Sequence, residues 1–575
     1  MDTRSEDTWR WSLVGILMLT ALVYLPTLQF DFVFDDHALI KNNPNLRSGA
    51  GLRPLLTRNL WSQHAPGEQG NYYRPVLMLS FMATRRIAGP SPLAFHLVAV
   101  IQHLICVALV FAILRRLFGD RTLAAASALV FALHPSRPEV VAWISGGNAA
   151  FAGAQCLGVV LLTLMAVEAR SSGSRLALTG AAMVLTATAI LSKESAATLP
   201  GQIGLVVFFA GAAEAGLRAR LMAAVAAATP IALVIAGGLG LRRLMLGYLS
   251  LTITELETGV VLRNIPRAVL GHLELLALPT TRGPFYPLSA DPGLSTPAVF
   301  GATALVLAVV GLSFWPKDSR RPVAFGWCWL GGTILPVLNL RALPRGELLH
   351  DRFLYLPGLG FAVIVGALFA LAARRARLTP GRATAALAGL GLTLAGLTMR
   401  ELPAWRDDLE LWRQAIRVAP GNPTARLNRA ITLAGDGQTA RAERLLLMLD
   451  DGSTPSDSRV SALEALAAIA IRRGDFPTAE ARLDRLLSLT PRPRPGSLIK
   501  LATVQLARRH LEAAGDTLNR LMELAPETRG ARFLIARLHL ESGRPERAAE
   551  ACRAELRRHP DHAGARRLLE TIRDR

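Results

Sequence analysis

Windows of roughly 20 largely apolar residues, the helix length needed to cross a hydrocarbon layer, recur from Trp11 to Met399 and then stop. Lipid is the solvent that matches such a stretch. The whole chain of 575 residues, 51% hydrophobic with a mean hydropathy of +0.33, is too apolar for an ordinary soluble multidomain protein. The composition shifts at Arg400. The expected fold is all-α: a polytopic transmembrane domain over residues 1–400, followed by a soluble solenoid of helical hairpins over residues 401–575.

A net charge of +21 raises the question of nucleic acid, and its placement answers it. Residues 401–575 hold 30 Lys/Arg against 24 Asp/Glu, a net of +6, which leaves +15 on the membrane part. Much of that excess lies in short clusters between apolar windows: Arg115, Arg116 and Arg121; Arg170 and Arg175; Arg218 and Arg220; Lys317, Arg320 and Arg321; and Arg374 to Arg382. Such clusters mark cytoplasmic loops, so the basic balance serves topology and no nucleic-acid partner is expected.

Counted against these clusters, spans fall near 11–29, 95–114, 122–134, 148–167, 176–191, 196–213, 221–241, 298–315, 323–340, 355–373 and 383–399. The segment 260–279 carries Arg263, Arg267, His272 and Glu274 and reads as interfacial or re-entrant. Tyr24-Leu25-Pro26 followed by Phe30-Asp31-Phe32 offers no small-residue cleavage site, so the first span reads as uncleaved. Eleven spans put the termini on opposite sides. With the N-terminus inside, loop 30–94, the corner 134–139, loop 341–354 and the C-terminal domain fall on the far side. Only four lysines stand among 64 basic residues, and the Arg, Ala and Gly bias points to a GC-rich bacterial genome. The expected location is thus the bacterial inner membrane, with the repeats on the periplasmic side. Cys106, Cys156 and Cys328 sit within spans and Cys552 stands alone, so neither disulfide nor metal-ligand spacing appears.

The C-terminal part repeats itself. Gly474, Ala479 and Pro491 recur as Arg509, Ala514 and Pro526 and again as Gly543, Ala548 and Pro560; a looser earlier copy has Gly437 and Ala442. Offsets of 35 and 34 residues are tetratricopeptide spacing. Glycine opens the turn between paired helices, the small alanine lets them approach, and proline ends the second helix. Stacked hairpins leave a concave groove suited to an extended polypeptide, although the same array also serves as a spacer or self-association module.

The sharpest constellation is FDFVFDDHALIKNNP, in which Asp35 and Asp36 follow the first span directly. Adjacent carboxylates resist joint ionisation, so one can be raised toward a proton-accepting pKa while the other orients an acceptor or a cation. The doublet alone also reads as an acidic cap on an interfacial helix. Taken with Tyr72-Tyr73-Arg74-Pro75-Val76, FALHPSRPEVVAWISG, LSKES, PVLNL, HDRFLYLPGLGF and the linker Trp405 to Trp412, however, it resembles the GT-C superfamily of membrane glycosyltransferases. The nearest likeness is to the transmembrane and tetratricopeptide repeat containing O-mannosyltransferases and their bacterial relatives, and it covers nearly the whole chain.

That resemblance implies an inverting transfer of a sugar, mannose by the family's name, from a polyprenyl phosphate carrier to a Ser/Thr hydroxyl of an exported polypeptide held by the repeats. Sugar leaving lipid phosphate needs cations on the phosphate oxygens, and a neutral hydroxyl needs a carboxylate to take its proton. By resemblance Asp35 is the general base with Asp36 second, and Arg74, Lys193 and Arg352 are phosphate clamps at the membrane edge. Each arginine there reads equally as a headgroup anchor. His134 and Glu139 orient the donor or a clamp residue, or else cap a turn forced by Pro135 and Pro138. His103 reads as a helix-to-helix hydrogen-bonding residue. No metal ligands are assigned, but an aspartate pair beside phosphate also suits a divalent cation. The chain departs from its relatives at Gly147-Asn148-Ala149, where they often read Arg-x-Asp. Two other classes stay open: a catalytically inactive scaffold that recruits proteins through its repeats, which this departure favours, and a lipid-linked sugar transporter, favoured only by the number of spans.

Topology is directly testable. Alkaline phosphatase fused after Arg575 is expected to be active, and activity instead from a reporter that works only in the cytoplasm would overturn the assigned sides.

Overall fold

The computed structural model describes residues 3–47, 52–62, 70–212, 216–278, 282–291, 293–344, 347–451, 454, 456–490 and 493–574. Pro491 of the first repeat lies outside them. No strand occurs among the described residues, and the chain forms two compact units, residues 1–419 and 420–575.

The first unit contains α1 (Thr3–Tyr24), α2 (Leu52–Thr57), α3 (Pro75–Ala88), α4 (Pro92–Phe118), α5 (Arg121–Leu133), α6 (Pro138–Val141), α7 (Asn148–Glu168) and α8 (Ser172–Ile190). It continues with α9 (Leu199–Ala210), α10 (Leu217–Leu246), α11 (Thr258–Ala277), α12 (Thr296–Ser313), α13 (Arg320–Ile334), α14 (Pro357–Arg375), α15 (Pro380–Glu401) and α16 (Asp408–Val418). All eleven apolar segments are helical. Eight make helices long and apolar enough to cross a membrane; α5, α9 and α13, with 13, 12 and 15 residues, are shorter. The reason is visible in α5. Asp120 caps its start by accepting the Leu123 N–H at 3.0 Å, His134-Pro135 ends it, and every residue from Leu123 to Leu133 is buried by protein. A helix screened from lipid on all sides need not match the bilayer. By contrast α12 has no buried residue, and Leu307 and Leu312 stand 65% and 68% exposed, as lipid-facing side chains do. The segment expected to be interfacial is α11, a helix whose buried residues are Asn264, Ala268, His272, Leu273, Leu275 and Leu276.

Small residues set the tightest crossings. A Cβ on Gly360 would lie 2.3 Å from the Gly326 carbonyl oxygen, and one on Gly366 would lie 2.1 Å from Ser127 Oγ, so α14 meets α13 and α5 backbone to backbone.

The loop 30–94 is not an open loop. Its 14-residue helix α3, too short to register as a span, packs Leu77, Met78 and Phe81 against Phe32, Leu39 and Phe95. The compact units divide at Ala419, beyond the composition break at 400, because the linker belongs to the first unit. Trp405 stacks on Trp143 at 5.7 Å, and Trp412, 2% exposed, packs against Phe34 and Phe285.

The second unit pairs α17 (Pro423–Gly435) with α18 (Thr439–Leu447), α19 (Ser456–Arg473) with α20 (Phe476–Leu489), α21 (Pro495–Ala507) with α22 (Leu511–Leu524) and α23 (Ala531–Glu541) with α24 (Pro545–Arg558), and ends on α25 (Ala563–Arg573). The repeat signature has a conformational basis. Gly437, Gly474 and Gly543 have φ of 79°, 77° and 73°, and Arg509 holds the same left-handed turn at 61°. Ala442, Ala479, Ala514 and Ala548 are fully buried.

Gly360→Ala is expected to destabilise the first unit by about 1–3 kcal/mol through overpacking. Gly389→Ala in α15, where nothing lies within 4 Å of the new methyl group, is expected to be neutral or stabilising. Thermal unfolding of both variants in detergent checks this pair.

Candidate active site

The backbone leaves the first span through an unusual bend. Phe34 has φ of 50°, a left-handed conformation that costs a residue with a Cβ roughly 1–2 kcal/mol. Three contacts hold it: its N–H donates to Asp408 Oδ1 at 2.9 Å, and its ring stacks on Trp143 at 5.8 Å and meets Trp412 edge-on at 5.0 Å. His37 Nε2 reaches the other oxygen of Asp408 at 2.7 Å.

This bend gives the two aspartates different surroundings. Asp36 is fully buried; its Oδ1 accepts the Ser145 N–H at 2.7 Å and the Ser145 hydroxyl, and its Oδ2 accepts the Val33 N–H at 3.1 Å. Asn148, within the divergent Gly147-Asn148-Ala149, donates to the Ser145 carbonyl at 2.7 Å and props that brace. The Asp35 carboxylate has no hydrogen-bond partner among the described residues. Burial raises its pKa to about 7, with Asp36 and Glu347 pushing upward and Arg352 and Arg74 opposing. Burial also raises Asp36 to about 7, against three donors that favour its ionised form. The structure therefore separates the doublet: Asp36 braces the loop, and only Asp35 is free to exchange a proton with something else.

Three cations share electrostatic contact with this carboxylate or with one another. Arg74 clamps Glu194, Nε at 3.1 Å and Nη2 at 2.7 Å from Oε2, and lies 4.5 Å from the Tyr72 ring centre. Arg242 reaches the same glutamate at 3.2 Å. Arg352 is fixed by Glu139, its Nη1 at 2.5 Å from Oε1 and its backbone N–H at 2.8 Å from Oε2, and faces the rings of Trp143 and Phe353. Lys193 stands on extended backbone between α8 and α9, and its ammonium has no hydrogen-bond or ion-pair partner among the described residues. Burial, Arg74 and Arg352 lower its pKa to about 7, opposed by Glu194 and Glu139.

His134 lies elsewhere in this scheme. Its Nε2 donates to the Leu276 carbonyl at 2.9 Å and its Nδ1 accepts from Ser136, 2.8 Å from the hydroxyl and 3.2 Å from the N–H. Both nitrogens are committed, so His134 ties the corner to α11 and has no atom left for a donor. His103 bridges helices as its position suggests, at 2.8 Å from the Tyr355 hydroxyl and 3.0 Å from the Ala132 carbonyl.

Sequence reasoning passed over several supports. Arg137, 1% exposed, has no carboxylate partner among the described residues and instead donates to the carbonyls of Phe131, Leu354 and Tyr355. Gly358 must lack a side chain, since its Cβ would meet Arg137 Nη2 at 2.3 Å. Asp351 pairs with Arg282 at 2.5 Å and accepts the Tyr286 hydroxyl at 3.0 Å. Glu194 and Arg137 sit inside the motifs LSKES and HPSRPE, which was the one available signal. Among the described residues no group of three His, Cys, Asp or Glu side chains is placed to hold a metal ion. The arrangement sets basic side chains around a carboxyl whose pKa is raised to about 7, a charge pattern suited to an anionic ligand.

No family model matches the chain. It is similar to proteins named protein O-mannosyl-transferases. One from Caenorhabditis elegans, F38B6.6, is 26% identical over 432 residues, 72% of this chain and 59% of the worm protein. The mouse TMTC3 is 24% identical over 391 residues, 61% of this chain and 41% of the mouse protein. The chain thus matches less than two-thirds of the length of either relative. The crystal structure of ArnT from Cupriavidus metallidurans in the apo state aligns with 95% of this chain and 80% of its own at 15% identity and a TM-score of 0.37, a likeness too remote to bear on the fold.

A buried carboxyl with a raised pKa favours the folded state while protonated, so its contribution is full below about pH 4 and is lost as pH rises through 7. Asp35→Asn is therefore expected to raise the thermal midpoint at pH 8 and leave it unchanged at pH 3. A midpoint unmoved at pH 8 would mean that Asp35 is not desolvated.

Proposed function

We propose that the chain is a GT-C-type membrane glycosyltransferase. It moves a sugar, mannose by similarity to its named relatives, from a polyprenyl phosphate carrier to a Ser/Thr hydroxyl of an exported polypeptide docked on the repeats. The observation that carries this reading is that Asp35 and Lys193, side chains of opposite kind with no hydrogen-bond or ion-pair partner among the described residues, both lie within electrostatic reach of Arg74 and Arg352.

In the proposed step Asp35, ionised, takes the proton of the acceptor hydroxyl as that oxygen attacks the anomeric carbon from the face opposite the phosphate. The bond from that carbon to the phosphate oxygen breaks, its electron pair leaves with the lipid phosphate, and the sugar inverts. Lys193, Arg74 and Arg352 carry the charge that develops on the phosphate. Glu194 and Glu139 hold the two guanidiniums in place, and Asp36 holds the loop bearing the base. By this reading the active site and the repeats lie on the periplasmic side.

Asp35→Asn is expected to abolish release of carrier phosphate from a radiolabelled polyprenyl phosphate sugar with every acceptor, while the full chain still binds acceptor peptide. Equal activity in variant and wild type would remove Asp35 from the mechanism.

Wild-type single-turnover rates are expected to pass through a maximum near pH 7, rising as Asp35 ionises and falling as Lys193 loses its proton. Arg352→Ala is expected to lose about one to two decades in rate, since a hydrogen bond to a charged group contributes about 1.5–3 kcal/mol, and Arg352→Lys to lose less, because it keeps charge without the fork. Rates are taken per folded, inserted molecule, and unchanged turnover in Arg352→Ala would reduce the residue to a headgroup anchor.

A further inference from the structure

A cavity of about 860 Å³ opens at the other end of the same helices. Its lining comes from the beginnings of α5 and α15, the end of α14, and Ser12 and Phe111 of α1 and α4. The candidate active site follows α1 and α5 and precedes α14, and the 19 residues of α14 extend roughly 28 Å. The cavity therefore lies toward the end of these helices away from the candidate active site.

Its chemistry has two parts. Arg121, Arg374 and Arg377 supply positive charge, against one carboxylate, Asp120, which pairs with Arg374 at 2.5 Å. Phe111, Phe369, Leu378 and Leu387 supply apolar wall. Both α5 and α15 present their N-terminal turns to the cavity, adding helix-dipole charge of the same sign.

The backbone adds an independent observation. Arg377 ends α14 at φ of 48°, with the Leu378 N–H donating to the Ala373 carbonyl at 3.0 Å. This is the helix-ending motif in which the left-handed residue is usually glycine. An arginine there costs roughly 1–2 kcal/mol of backbone strain, and its guanidinium has no ion-pair partner among the described residues to offset it. A charge needed only to set topology could stand two residues earlier, as Arg375 does, without strain.

We propose that this cleft is a binding site for an anionic glycerophospholipid, its phosphate held by Arg377 and Arg121 and its acyl chains laid along the apolar wall. The volume is in the range of built ligand sites, and basic clefts between membrane helices suit anionic headgroups. A soluble phosphate ester shares the headgroup chemistry but would leave the phenylalanine and leucine wall uncovered. The proposal does not depend on the transferase reading.

The test uses the full chain in neutral detergent, titrated with short-chain phosphatidylglycerol, matched phosphatidylcholine, or glycerol 3-phosphate, and read by native mass spectrometry and thermal midpoint. Phosphatidylglycerol is expected to be retained and to raise the midpoint, and the other two are not. Arg377→Gly is expected to weaken phosphatidylglycerol binding about fivefold, the share of one basic residue near an anionic headgroup, while the lipid-free midpoint holds or rises because glycine suits the turn. Asp120→Asn keeps the cap on α5, frees Arg374 and is expected to tighten binding by a similar factor. Equal retention of both phospholipids, or phosphatidylglycerol binding unmoved in both variants, would overturn the site. An equal response to glycerol 3-phosphate would overturn its assignment to a lipid.

Discussion

The pair between Glu139 and Arg352 is the contact on which the architecture of the candidate site depends. Glu139 is 2% exposed, and a carboxylate removed from water to that degree persists as an ion only if its oxygens are taken up. One takes the guanidinium of Arg352 and the other its backbone N–H, so a single side chain fixes both the position and the direction of the arginine. Arg137, two residues earlier, holds the carbonyls of Leu354 and Tyr355, and Asp351 is tied to Arg282 and Tyr286. The corner 134–139 and the segment before α14 are thus fastened to one another at two points, and Asp351 anchors the same segment to Arg282 and Tyr286. Removing either partner of such a buried pair leaves an uncompensated charge, which makes the arrangement close to all-or-none.

Against that background the absence of a partner carries information. Most buried charges on this surface are spent on one another: Arg74 and Arg242 on Glu194, Arg282 on Asp351, Arg352 on Glu139. Asp35 and Lys193 are not, and burial drives both toward neutrality from opposite sides. A site that keeps one acid and one base unpaired, each titrating near 7, is arranged to receive charge and protons from a ligand.

The helical class, the apolar segments and the repeat period were legible because each rests on a length or a spacing the chain states outright. What escaped was decided by tertiary contact. Helix α3 was hidden because an amphipathic helix of 14 residues looks, by composition, like part of a polar loop. The doublet Asp35-Asp36 could not be divided from sequence, because the division comes from donors on Ser145, 109 residues away, and from a left-handed Phe34 that no local pattern announces. His134 looked chemical for the reason many buried histidines do: its two nitrogens need partners, and the partner of one, the Leu276 carbonyl, belongs to a helix 142 residues later. The structure brings Arg74, Glu139, Lys193 and Arg352 within electrostatic reach of one another. Whether each was paired or free was not readable.

Phe34 and His37 are secured by Asp408, and Phe34 also packs against Trp412, both in α16. The loop that bears the acid doublet is therefore held by a helix made more than 370 residues after it. During synthesis every membrane helix of the first unit leaves the ribosome before α16 does, so for that interval Asp35 and Asp36 sit on a strained bend without its clamp. The bend becomes affordable only when the linker docks. Assembly of the proposed catalytic loop is thereby timed to the end of membrane insertion, and a membrane fragment cut at residue 400 would carry all its spans and still lack the residues that hold the acid in place.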